Sequence, residues 1–477
     1  MGLQELVVMK SYICLVQDSI HFFSELFHNI WNAPGNLVFK LVLFCLFLPC
    51  FGAFFNVNIY HVPIFIGVVA ILLICTLKPN SRPILVPGNL QIALCVLMIL
   101  LIIQILSGRG FGILSAGGYV ILMSVILLGI MNYQAPNEST IIGWVSIIFQ
   151  TLAIGVGIEL IIILLGKQPV LTELFYSEVT THYKNYNPAD LIRFLGLAPD
   201  SGGPNSILLG SQVCGMLCLF STLWFFYLYR LPTNSYNRKA AFYWLVASFI
   251  LLLFTINGTV TLLAAFGFCL PYYFSKNKKQ KLQALIFIFL LLITLFMMIN
   301  QGIILNRVFS GELAIFSQET LSIFKKSGLE HDVKDISVFD FYILIFFRPV
   351  ELWYHSDLFS QFFGAGNSLF LDENIYIGGD FGFGSEILLK TGLIWACAFT
   401  WIVLVTCLRS LSLPPKTFGA PPLWVGLARI NALMGFLWLI SLIHYTPSTQ
   451  NAGGYSLFAL NLALVIYCKN RSMSGTK

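Results

Sequence analysis

Residues 90–106 read LQIALCVLMILLIIQIL, seventeen positions with no charge and only two glutamines. Crossing about 30 Å of hydrocarbon takes roughly 20 apolar helical residues at 1.5 Å each, and this run has no polar stripe to turn to water. It predicts a helix that spans a membrane. Runs of the same kind recur on both sides of it: Leu37–Phe55, His61–Leu77, Phe111–Met131, Ile141–Leu165, Ile207–Tyr229, Ala240–Ile256, Val260–Phe274, Leu282–Ile303, Ser385–Leu408, Leu423–His444 and Tyr455–Cys468. The expected fold is an all-α polytopic integral membrane protein with about twelve transmembrane helices, because helical runs recur instead of the alternating strands of a barrel. Composition agrees: of 477 residues, 57% are hydrophobic and 10% charged, too few polar groups to cover a water-soluble chain of this length.

These runs divide the chain into an interfacial segment 1–36, helices 1–5 over 37–165, a loop 166–206, helices 6–9 over 207–303, a loop 304–384, and helices 10–12 with a tail over 385–477. Residues 1–36 lack the compact apolar core and small-residue cleavage site of a signal peptide. Loop charges orient the chain by the positive-inside rule. With the N-terminus inside, the inner connections carry Lys78 and Arg82; Arg230, Arg238 and Lys239; Lys276, Lys278, Lys279 and Lys281; Arg409 and Lys416; and Lys469, Arg471 and Lys477. Among the short outer connections, 56–60, 107–110, 257–259 and 445–454, the one basic residue is Arg109. Both long loops then fall outside, and loops of this length more often carry function than serve as connectors. The net charge of +6 is thus accounted for by orientation, and no nucleic-acid partner is expected. No P-loop pattern is present. The cysteines sit in or beside apolar runs, or in the N-terminal segment, and none lies in a long loop, so neither a disulfide framework, a metal site nor a cofactor is expected.

The first long loop ends with Asn187-Pro188 opening a short helix that Gly196 stops, with Arg193 in its last turn. Ser201 to Ser206, including Pro204-Asn205, then leads into a membrane helix whose outward N-terminus would favour an anion. The same residues also read as an ordinary helix cap beside an arginine reaching lipid phosphates. In the second loop, Phe339 to Phe347 is too short to span, and Arg348-Pro349 opens a helix expected to run to Phe363 and stop at Gly364. Arg348, Glu351 and His355 would share one face. A guanidinium at a helix start suits a diphosphate, which it can grip through two oxygens at once. His355, Asp357 and Asp380 are the candidates to take a proton from a sugar hydroxyl. Against this stand plainer readings, a solvated histidine and an aromatic pair, Trp353-Tyr354, anchoring the chain at the membrane interface. Gly379 to Gly392 delivers a carboxylate and a glycine turn at the mouth of the next helix.

Taken in order, Arg193 with Gly196 ahead of Pro204-Asn205, the Arg348 to Gly364 spacing, and the Asp380 to Gly392 helix start resemble the Wzy-type O-antigen and exopolysaccharide polymerases and the related O-antigen ligases. The resemblance covers roughly residues 140–405 and implies a membrane glycosyltransferase-like fold with helical periplasmic loops in the bacterial inner membrane. It implies joining of undecaprenyl-diphosphate-linked repeat units at the periplasmic face, without metal or nucleotide. Arg193 and Arg348 would hold the diphosphate. A chain-length regulator and a flippase would be partners alongside membrane lipid. Ligases typically carry His-Asn just before that Leu-rich helix start and Ser-Arg at the short turn between two middle helices, where this chain has Phe381-Gly382 and Asn257-Gly258-Thr259; both departures favour polymerase over ligase. A transporter or lipid-glycan flippase is the alternative of another class, and Glu159 and Arg429 are the ionisable residues well inside spans that it would use.

Overall fold

Away from water every peptide group must be bonded within the chain, and runs that are apolar around their whole circumference meet that demand as helices. The structure is a computed structural model and describes residues 37–55, 64–71, 87–109, 112–164, 211–231, 237–254, 262–268, 350–366, 387–412, 422–444 and 452–474, with 260 and parts of 282–291. These residues are helical almost throughout, and no strand occurs among them.

The main helices are α1 (Leu37–Phe55), α2 (Gly88–Leu106), α3 (Tyr119–Gln134), α4 (Glu138–Leu164), α5 (Ser211–Arg230), α6 (Arg238–Phe254), α7 (Leu358–Phe363), α8 (Lys390–Leu411), α9 (Pro422–His444) and α10 (Ala452–Ser474). Among the described residues, Gly88–Leu106, Glu138–Ile158, Ile387–Leu411 and Leu423–Leu442 are long and apolar enough to cross a membrane. Local chemistry sets the boundaries. Pro87 precedes α2, and its carbonyl takes the amides of Leu90 and Gln91. Gly108, at φ 72°, ends α2 in the left-handed conformation common after helices. Pro136 separates α3 from α4, and Asn137 caps the latter by accepting from the Thr140 amide at 2.8 Å.

α10 is the axis. It packs against α9, α3, α1 and α8, and residues 454–468 are all buried. The α5–α6 hairpin joins through α4 and α9, while α8 links the axis to α2 and α7. Several polar groups inside find partners: Tyr119 shares a hydrogen bond with Ser456 at 2.9 Å, the Ser124 hydroxyl donates to Ala459 O at 3.1 Å, and the Trp224 indole donates to Ser146 at 3.0 Å. Cys45, Cys218, Cys407 and Cys468 are buried as free thiols.

The two ends of the bundle differ in charge. At one end Arg471 lies over Trp424, Lys469 is within electrostatic reach of Arg409, and the Tyr467 hydroxyl donates to Pro136 O. Arg230 and Arg238 lie over Phe226 and Tyr229 where α5 turns into α6, and Tyr227 reaches Gly426 near the start of α9. The opposite end, where α2 finishes and α8 begins, holds Arg109 and Asp357.

Two expectations of continuous helix fail. Before α3 the chain makes a π-helical turn, Leu114–Gly118, with Gly117 at φ 88°. α8 is broken at Gly392, whose φ of 78° and ψ of 172° are not helical.

Candidate functional site

The second-loop segment predicted as one helix from Pro349 to Phe363 is two. Residues 350–355 form the first piece, Ser356 and Asp357 break it, and α7 is the second. The break follows from Asp357, which adopts an extended conformation (ψ 154°) and caps α7 through the Ser360 amide at 2.9 Å. Gln361 folds the pieces together by donating to Tyr354 O at 2.6 Å and Ser356 O at 3.1 Å, satisfying carbonyls at the end of the first piece. The Trp353 indole donates to Gln361 O at 2.8 Å. Gly364 stops α7 as expected, at φ 84°.

This segment, 350–366, is strapped across the ends of α2 and α8. Arg109 donates to Ser360 Oγ and to Gly364 O, both at 2.7 Å, while its guanidinium plane sits 4.7 Å from the Phe359 ring centre. Ser360 Oγ in turn donates to Asp357 at 2.5 Å. The direct Arg109–Asp357 pair is longer, 3.9 Å. These hydrogen bonds from Ser360, the side chain first and then the amide, together with the Arg109 charge, hold the Asp357 carboxyl below the usual carboxylate range.

Gln104, fully buried two residues before the end of α2, makes the second tie. Its amide nitrogen donates to Phe363 O and Lys390 O, each at 3.1 Å, and its oxygen accepts from the Ile113 amide at 3.0 Å. A third tie is backbone to backbone: the amides of Ala365 and Gly366 donate to Leu389 O and Lys390 O, both at 3.0 Å. These carbonyls precede the Gly392 break. Side chains would prevent this crossing. A Cβ on Gly392 would strike Phe362 O and the Gly364 amide, one on Gly364 would strike Lys390 O, and one on Gly366 would strike Arg109 O.

Of the sequence candidates, His355, Asp357 and Gly364 lie in the strap. His355 is exposed, with its ring edge-on to Tyr354 at 5.3 Å. Asp357 is committed to the cap and to Ser360, and a carboxyl with a lowered pKa is a weak base, which counts against Asp357 as the proton acceptor. Arg193, Gly196, Pro204, Asn205, Arg348 and Asp380 lie outside the described residues. Among the described residues, no three His, Cys, Asp or Glu side chains gather to hold a metal. Sequence reasoning passed over Gln104 and Arg109 as parts of the site. The signals were present: a lone glutamine in an otherwise apolar half-helix, and the one charge on the short outer connections.

No protein-family model matches the chain, and no curated protein matches it.

Proposed function

We propose that this protein is a polymerase of undecaprenyl-diphosphate-linked oligosaccharide repeat units, acting at the periplasmic face of a bacterial inner membrane as a membrane glycosyltransferase of about twelve helices. The single observation that supports this reading is the strap. A segment bearing His355 and Asp357 is fastened by Arg109, Gln104 and three glycines to the end of the bundle opposite its basic end. A side chain acting on a lipid-linked sugar needs such a rigid mount at the lipid boundary.

In this mechanism a sugar hydroxyl of one lipid-linked unit attacks the anomeric carbon of a second. The bond from that carbon to the diphosphate oxygen breaks, and undecaprenyl diphosphate leaves. Arg193 and Arg348 neutralise the charge growing on the departing diphosphate. His355 takes the proton of the attacking hydroxyl, with Asp380 as the other candidate.

The test is a ladder assay. Purified protein supplied with lipid-linked repeat units should yield products of increasing length, Arg348→Ala should abolish them, and His355→Ala should slow them about a hundredfold or more. No ladder from active-folded protein, or a ladder unaffected by Arg348→Ala, overturns the proposal.

A transporter is the second reading, favoured by the irregular turns at Gly117 and Gly392 in neighbouring helices. The carbonyls of Leu389 and Lys390 beside the Gly392 break are, however, occupied by the strap and Gln104. In a transporter such groups would be open to cargo.

A further inference from the structure

On α7 the polar side chain Ser360 is turned inward and apolar side chains outward. Ser360 is buried and faces Arg109 and Asp357, whereas Leu358 (72% exposed), Phe359, Phe362, Val350 and Tyr354 are exposed. A helix lying in water would turn those side chains the other way. α7 also packs against α2 and α8, whose own outward side chains nearby are apolar. Only 28% of α2 is buried, and Ile102, Ile105 and Leu106 at its end are exposed, as are Leu393 and Ile394 on α8 just past the crossing.

Depth follows from the ties. Gln104 binds Phe363 O and Lys390 O while sitting two residues, about 3 Å, inside the end of α2. The end of α7 is therefore held between the last apolar turn of α2 and Arg109, the first charge beyond it. Asp357, Glu351 and His355, the charged and titratable side chains exposed on the strap, supply the polar edge that an in-plane amphipathic segment turns to headgroups and water.

We infer that the face formed by Leu358, Phe359, Phe362, Val350 and Tyr354 is a lipid-contact surface, seated in the acyl chains of the leaflet next to α2 and α8. The occupant is bilayer lipid and not a second copy of the chain, because these side chains are tied level with the outward apolar end of α2, with Arg109 lying between the two elements over Phe359 as a cation at a headgroup boundary does. The inference rests on the membrane-spanning part of the proposed reading and is independent of glycosyl transfer.

Photo-crosslinking tests it. Full-length protein carrying p-benzoylphenylalanine in place of Leu358, Phe362, Ser360 or Ile99, one at a time, is reconstituted in phosphatidylethanolamine–phosphatidylglycerol vesicles, irradiated, and analysed by mass spectrometry. Ile99, exposed in the middle of α2, reports whether α2 faces lipid at all. Lipid adducts at 358 and 362 should come within about threefold of the yield at 99, with little at 360. Adducts at 99 but none at 358 and 362, or a crosslinked dimer from 358 and 362, overturn the lipid-contact surface while leaving the spanning helices intact. Absence of adducts at 99 as well overturns both. A ladder assay on the same vesicles reads the enzymatic proposal separately.

Discussion

Along α2 the outward side chains include Ile92, Met98, Ile99, Ile102, Ile105 and Leu106, and 28% of its apolar span is buried; along α10 residues 454–468 are buried without exception. Yet α10 is the more polar of the two, with Ser456, Asn461 and Tyr467 in its buried stretch. The difference teaches that hydropathy marks the helices facing lipid, not those building the core. A helix surrounded by other helices can carry hydroxyls such as that of Ser456, because neighbours such as Tyr119 supply partners. A helix facing hydrocarbon keeps its polar side chains near its ends, as α2 does with the exposed Gln91. α2 still has one buried polar side chain, Gln104, and places it where it ties the rim of the bundle to the strap.

The largest effect is expected where α8 joins α2 to the axis. Gly392→Ala puts a Cβ into Phe362 O at a backbone conformation reserved for glycine and should cost about 3 kcal/mol or more, read as a lowered thermal midpoint in detergent. Next, Ala463→Phe on α10, where Ala463 is fully buried, should cost about 1–3 kcal/mol, whereas Ile99→Phe on α2 should stay within about 0.5 kcal/mol. Equal losses at the two sites would break the comparison. Gln104→Leu makes the side chain apolar like its neighbours in the second half of α2 but orphans Phe363 O and the Ile113 amide, for about 1–3 kcal/mol; hydrogen exchange at Ile113 should speed up. A neutral result would mean that α2 is apolar throughout in its energetics as well.

The smallest effect concerns pH. Because the Asp357 carboxyl is held below its ordinary value, its contribution is complete above the ordinary carboxylate range and is lost as pH falls through the lowered value. Protection of the Ser360 amide against exchange should be flat at neutral pH and decline below about pH 4, a decline absent in Asp357→Asn. Asp357 is largely exposed, so the loss should be slight.

Much of the helical framework was legible. The run Leu37–Phe55 coincides with α1, and Leu423–His444 differs from α9 by one residue, because apolar runs bounded by proline, glycine and charge have little choice of ends. The site was legible only in part. Gly364 announced the end of α7, but the break at Asp357 did not stand out, since an aspartate can sit exposed on a helix as readily as cap one. Gln104 and Arg109 meet partners 251 to 286 positions away, and no periodicity encodes such a meeting.

The sequence by itself therefore determined a chain of apolar helices, the pattern of basic connections, and the candidates His355 and Asp357. Tertiary structure alone decided which helix is the axis, that α8 breaks at Gly392, and that Asp357 is spent on capping while Gln104 and Arg109 hold the strap. The physical reason is range. Hydrophobicity and helix propensity act within a few turns, whereas backbone crossings at glycine and buried hydrogen bonds exist only after distant segments have packed.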